Sequence, residues 1–143
     1  MMVTITLSHD SSEIERATAF LETFFAAQKI DEQTLFQFNL CLEELLTNIM
    51  TYAAVDANRI SELMITLSFE YHNGCLRMAL EDNGYPFNPL KEVAEPDLDA
   101  ELDERKIGGL GVYLVKTFMD TFTYTRQGDR NRLELEKQIN HDL

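Results

Sequence analysis

Glu44 and Asn48 stand four residues apart in the run Glu44-Leu-Leu-Thr-Asn48, a spacing that puts both side chains on one face of a helix. A carboxylate in that position can orient or deprotonate an attacking hydroxyl or water. An amide carbonyl oxygen suits Mg²⁺, a hard cation that prefers oxygen ligands and keeps several waters. Asparagine is a poor helix-interior residue because its amide competes with the backbone, so its presence among good helix formers asks for a reason. Further along, Asp82 precedes Asn83-Gly84. A carboxylate there can accept a hydrogen bond from the exocyclic amine of adenine, which guanine lacks at that position, and Gly84 lets the backbone approach the ring. Tyr85-Pro86-Phe87 stiffens the exit, with Phe87 either core or pocket wall. A third segment, Gly108-Gly109-Leu110-Gly111, opens a helical pattern. Its backbone N–H groups and the helix dipole favour an anion, and Arg105 and Lys106 bring positive charge beside it. In this order the three segments can hold Mg-ATP without a P-loop; neither Gly-x-x-x-x-Gly-Lys nor Gly-x-Gly-x-x-Gly occurs.

Each segment has a plainer reading when taken alone. Glu44 and Asn48 read as a solvated helix face, with Glu43 pointing about 100° away around the helix. Asp82-Asn-Gly is ordinary turn chemistry, and a glycine cluster also marks a hinge. Four of the six glycines nevertheless fall in two of these segments. His9, His72 and His141 are scattered, none at metal-ligand spacing, and receive no role.

The elements that must position these residues follow from periodicity. Val3–Leu7 alternates as a strand, and Ser12-Glu-Ile-Glu15 is a capping box opening a first helix. A second helix runs from about Asp31 to Tyr52 on a stripe of Leu35, Phe38, Leu42, Leu45 and Ile49. Leu63–Phe69 and Leu76–Leu80 alternate about Asn73-Gly74, a hairpin whose second strand delivers the chain to Asp82. Residues 88–106 hold Pro89, Pro96 and seven acidic residues and read as a long excursion with a short helix. A third main helix follows Gly111, and Thr121–Thr125 with Leu133–Ile139 makes a last hairpin. The economical architecture is α+β: a two-layer sandwich with a mixed, mostly antiparallel sheet and helices on one face.

A chain of 143 residues with 45% hydrophobic and 26% charged content fits one globular domain with a sizeable core. A formal net charge of −13 argues against nucleic acid or anionic membrane as partner. The first residues lack the basic and apolar regions of a signal peptide, and no apolar run reaches the length of a membrane span, so a cytoplasmic protein is expected. Cys41 and Cys75 lie in apolar segments and are expected as reduced, buried thiols.

Glu44-x-x-x-Asn48, Asp82-x-Gly84-x-Pro86-Phe87 and Gly108-Gly-Leu-Gly111 resemble the N, G1 and G2 boxes of the GHKL ATPases. Within that superfamily the chain is most similar to the anti-sigma-factor serine kinases of bacterial partner switching, the RsbW and SpoIIAB type. Glu44–Ala53, Pro86–Pro89, Leu98–Ala100, Glu104-Arg105, Gly108–Val115 and Asn131–Leu135 share in the likeness. The resemblance implies the Bergerat fold over residues 1–143, with an ATP lid at about 88–107. It implies Glu44 as general base, Asn48 as Mg²⁺ ligand and Asp82 as adenine reader. Gly84 and Phe87 would belong to the adenine site, and Arg105, Gly108, Gly109, Leu110 and Gly111 to the phosphate side. It further implies transfer of the γ-phosphoryl of ATP to a serine on a STAS-domain anti-anti-sigma protein, and a sigma factor held by a kinase homodimer. Two departures stand out. Pro86 replaces the second glycine of many superfamily members, as it does in the kinase subfamily. The lid carries Glu92, Glu95, Asp97, Asp99, Glu101, Asp103 and Glu104, which repel a triphosphate unless the lid folds outward or Mg²⁺ compensates. That acidity keeps a second function in view, an ATP- or ADP-binding module that sequesters a partner without phosphorylating it. A detached histidine-kinase catalytic domain is the weaker third, since the chain has no phosphoacceptor histidine on a helical hairpin.

Overall fold

The computed structural model describes residues 2–53, 62–92 and 109–139. Its chain order is β1 (Met2–Leu7), α1 (Glu13–Ala27), α2 (Glu32–Asn48), a π-helical turn (Ile49–Ala53), β2 (Ile65–His72), β3 (Cys75–Asp82), α3 (Pro89–Glu92), α4 (Gly109–Phe118), β4 (Thr121–Gln127) and β5 (Arg130–Gln138). The strands form one sheet in the order β1-β2-β3-β5-β4. The sheet expected to be mixed is antiparallel at every pairing among the described residues.

Strand alternation separates the two faces. Ile65, Leu67 and Phe69 of β2, Leu76, Met78 and Leu80 of β3, and Leu133 and Leu135 of β5 are buried against the helices. The intervening Ser68, Glu70, Arg77, Glu134 and Glu136 leave the other face polar, partly tied by the Arg77–Glu136 pair at 2.9 Å. Phe69 is the centre of the helix-covered layer. Its ring lies 5.6 Å from Phe24 and 5.8 Å from Phe25, and Phe25 lies 5.4 Å from Phe38. Aromatic pairs in such geometry add about 0.5–1.5 kcal/mol beyond area burial, so this cluster fixes α1 and α2 on the sheet.

Local chemistry sets the element ends. Asp31 caps α2, its carboxylate accepting from the Thr34 N–H at 3.0 Å. Asn73 (φ 52°) and Gly74 (φ 78°) make the left-handed pair that a two-residue hairpin demands. The capping box expected at Ser12 does not form. Ser12 is helical and its side chain caps nothing. Asp10 instead accepts from the Ser12 N–H at 3.0 Å, and Glu13 reaches back to the Ser8 N–H at 3.2 Å. Both cysteines are free thiols, as expected. Cys41 is buried and pushed up to about 12 by that burial. Cys75 is only half-buried, because it opens β3 at the rim of the sheet rather than in its apolar middle.

Candidate functional site

α2 is the spine of the site. It stays α-helical as far as Asn48 and then widens into the π-helical turn, a local distortion common at functional positions. Glu43 is exposed, whereas Glu44 is half-buried and Asn48 is 4% exposed. The solvated-face reading of Asn48 is therefore excluded. Its Nδ2 has no hydrogen-bond partner among the described residues, a costly state for a buried amide. Asn39 Oδ1 and His9 Nδ1 share that condition. Asn48 differs from them in sharing a helix face with Glu44, which faces another segment of the predicted site.

That segment is the start of α4. The glycine cluster does open a helix, at Gly109. A Cβ on Gly111 would lie 2.4 Å from Glu44 Oε2, 2.6 Å from its Cγ and 2.7 Å from its Cβ. Only a glycine lets the first turn of α4 rest directly on the Glu44 side chain. Glu44 and Gly111, 67 residues apart in sequence, are thus in contact.

At its other end the spine meets the turn after β3. A Cβ on Gly84 would stand 1.7 Å from the carbonyl oxygen of Ala53. The Tyr85 N–H donates to that oxygen at 2.9 Å. Tyr52 stacks on Phe87 with centroids 4.9 Å apart and planes 17° apart. Phe87 packs on the core, and it also lines an open hollow with Pro86, Asn88, Lys91, Tyr124 and Arg126, a lining that includes none of Glu44, Asn48, Asp82 and Gly111. Glu44 and Ala53 are about 13 Å apart along the spine at ~1.5 Å per residue. One helix and its extension therefore touch both other segments of the site.

Asp82 is 2% exposed. Its Oδ1 accepts from the Gly84 N–H at 2.8 Å and from Asn131 Nδ2 at 2.9 Å. Burial pushes its carboxyl above the usual 3.8, while these two bonds and the charges of Arg126 and Arg130 pull the other way. Asn131, 2% exposed on β5, enters the sequence reading only as the start of a strand that shares in the likeness, with no role in the site. A signal for it existed: Asn131, Leu133 and Leu135 alternate on one face of β5, so the asparagine is an inward polar residue in an apolar row.

Glu44, Asn48, Asp82, Gly84, Phe87 and Gly111 thus gather along α2 and its extension. Gly109 and Leu110 form the first turn of α4. Arg105, Gly108 and all of the lid after Glu92 lie outside the described residues.

The donor set fits a magnesium nucleotide. Among the described residues no group of three His, Cys, Asp or Glu could hold a metal. A cation here would rest on the Asn48 amide oxygen, phosphate oxygens and water, the usual sparse protein coordination of Mg²⁺. Asn48, with its amide oxygen for a cation and its unpartnered Nδ2 for a phosphate oxygen, the glycine-backed helix start and the buried carboxylate would each meet one part of such a ligand.

Comparison with known proteins shows the family. The histidine kinase-like ATPase domain family matches residues 7–137, and the chain belongs to it. The chain is 26% identical over 132 residues to the serine/threonine-protein kinase BtrW of Bordetella bronchiseptica, covering 92% of this chain and 90% of that protein. Among solved structures it resembles the RsbU and RsbW domains of Rv1364c from Mycobacterium tuberculosis, with a TM-score of 0.69 and 13% identity. That match covers 96% of this chain and 32% of the other, so the chain spans about a third of it. It also resembles the histidine kinase domain of the Erythrobacter litoralis blue-light activated histidine kinase EL346. There the TM-score is 0.54 and the identity 18%, over 90% of this chain and 60% of the other. These two likenesses, at low identity, are of fold. Among the described residues no helix is long and apolar enough to cross a membrane.

Proposed function

We propose that the chain is a single-domain, ATP-dependent protein serine kinase and anti-sigma factor of a partner-switching pathway, acting in the cytoplasm. Its substrate would be a serine on a STAS-type antagonist, and a homodimer would hold the competing sigma factor. The observation that carries the proposal is the contact of Glu44 with Gly111 in the last turns of α2, with the Asp82–Gly84 turn packed on Ala53 just beyond them. The similarity to BtrW over most of both chains supports kinase chemistry in particular.

Mg-ATP supplies the transferable phosphoryl group and the cation that offsets its charge. Glu44 then takes the proton of the attacking hydroxyl. Asn48 offers its amide oxygen to the cation. Gly109, Leu110 and Gly111 present backbone N–H groups to the phosphates, with Gly108 and Arg105 just before them in the sequence. Asp82 accepts from the adenine amine while Gly84 keeps the backbone close, and Phe87 walls the adenine side.

Glu44→Ala should keep ATP affinity and lower phosphorylation of the cognate STAS protein by at least about tenfold, the low side of a general-base contribution. Equal turnover in the variant removes Glu44 from the role. The acidic run Glu92–Glu104 favours the second reading, an ATP- or ADP-binding module that sequesters its partner. Labelled ATP incubated with a candidate STAS protein separates the two: label stays with nucleotide if the module reading is right.

A further inference from the structure

One side chain, Asn131, joins the turn that carries Asp82 to the far edge of the sheet. In register, Asp82 of β3 lies opposite Asn131 of β5, which lies opposite Arg126 of β4. Asn131 Nδ2 donates to Asp82 Oδ1 at 2.9 Å and to the Tyr85 carbonyl at 2.7 Å. Its Oδ1 accepts from the Tyr124 hydroxyl, from Arg126 Nη1 at 3.2 Å and from the Phe87 N–H at 3.4 Å. Arg126 Nη1 also donates to the Gly84 carbonyl at 2.8 Å. The amide can point only one way. Reversed, its NH₂ would face the Arg126 guanidinium and its oxygen would face two acceptors. Both amide protons are committed, and the residue is 2% exposed.

The consequence falls on Asp82. Two donors, Asn131 Nδ2 and the Gly84 N–H, both hold Oδ1. The carboxylate cannot rotate without breaking both, so Oδ2 is the oxygen kept for a ligand. We propose that Asn131, backed by Arg126, is the positioning residue that fixes Asp82 for recognition of the 6-amino group of a purine. Discrimination of adenine from guanine nucleotides is then set by the β3-β5-β4 row. The proposal deepens the reading of Asp82 given above and rests on it.

The experiment measures ATP and GTP affinity by calorimetry, across pH, for the wild type, Asn131→Ala, Asp82→Asn and the double variant. Asn131→Asp is added because it keeps the shape and the acceptor toward Tyr124 and Arg126 while replacing the donor to both Asp82 and the Tyr85 carbonyl with a second carboxyl oxygen. Thermal unfolding confirms that each is folded. Loss of one bond to a charged group corresponds to about tenfold or more in affinity. ATP affinity should therefore drop about tenfold in Asn131→Ala, with GTP affinity nearly unchanged. Adding Asn131→Ala to Asp82→Asn should cost little more. With its donor gone, Asp82 should hold its proton to higher pH, so the acid limb of ATP binding should move upward. A merely structural role leaves that limb in place. If the wild type prefers ATP but folded Asn131→Ala and Asn131→Asp keep the same ATP-to-GTP ratio and acid limb, the positioning role is overturned and the Asp82 reading survives. If the wild type binds both nucleotides equally or neither, the Asp82 reading fails and the proposal with it.

Discussion

Two neighbouring stretches, the last turns of α2 and the π-helical turn that extends it, are built on opposite principles. Around Asp82 the protein sets its own geometry. Asn131, Arg126, the Gly84 and Tyr85 backbone and the Ala53 carbonyl close a network that ties Asp82 Oδ1 from two sides. Beside Glu44 a buried amide, Asn48 Nδ2, has no partner among the described residues, and Glu44 rests against bare backbone at Gly111. A self-satisfied network is stiff and sets geometry before anything binds. A buried amide donor left open beside Glu44 can be completed from outside. On the proposed reading, selection of the base and handling of the phosphates would fall to differently prepared stretches of one helix and its extension.

Gly84→Ala tests the stiff stretch hardest. Its Cβ would sit 1.7 Å from the Ala53 oxygen and 2.6 Å from the Ala53 carbonyl carbon, backbone atoms that cannot rotate aside. A loss of about 3 kcal/mol, the upper part of the usual overpacking range, is expected in urea unfolding. A loss below the error of the measurement would mean that the turn is free to move.

Asp82→Asn comes next. ATP affinity should fall at least about tenfold, since the acceptor for the adenine amine becomes an amide. Stability should move the other way. The folded pKa of Asp82 is above its ordinary 3.8, so its contribution to stability is fully present below pH 3.8 and is lost as pH rises through the folded value. The variant should therefore gain in Tm relative to wild type near neutral pH, and that gain should disappear below pH 3.8. A Tm difference that does not change with pH would show that burial of the charge is not what raises the pKa.

The smallest effect is expected at the open stretch. Asn48→Leu removes an unpartnered amide, and a gain of about 1 kcal/mol is expected, measured on the ligand-free protein. A clear loss of stability would show that the amide is satisfied without ligand, and the contrast between the two stretches would go with it.

Much of this was legible one element at a time. The stripe from Leu35 to Ile49 and the alternation of Leu63–Phe69 and Leu76–Leu80 drew α2 and the central hairpin, because burial of one face imposes its period on the chain. Asp31 and Asn73-Gly74 marked their ends through local backbone chemistry. Spacing put Glu44 and Asn48 on one helix face, and the glycine cluster at the start of a helix. Ser12 was misread because its capping-box pattern is also met by a chain in which Asp10 and Glu13 do the capping from either side.

What the chain could not declare was contact across it. That Gly111 lies on Glu44, that Ala53 closes over Gly84, and that Asn131 holds Asp82 all depend on where the sheet sets β5 beside β3 and how α4 settles on α2. Periodicity carries the information for an element's own faces. Which two faces meet, and which buried polar atom then lacks a partner, is decided only when the layers pack.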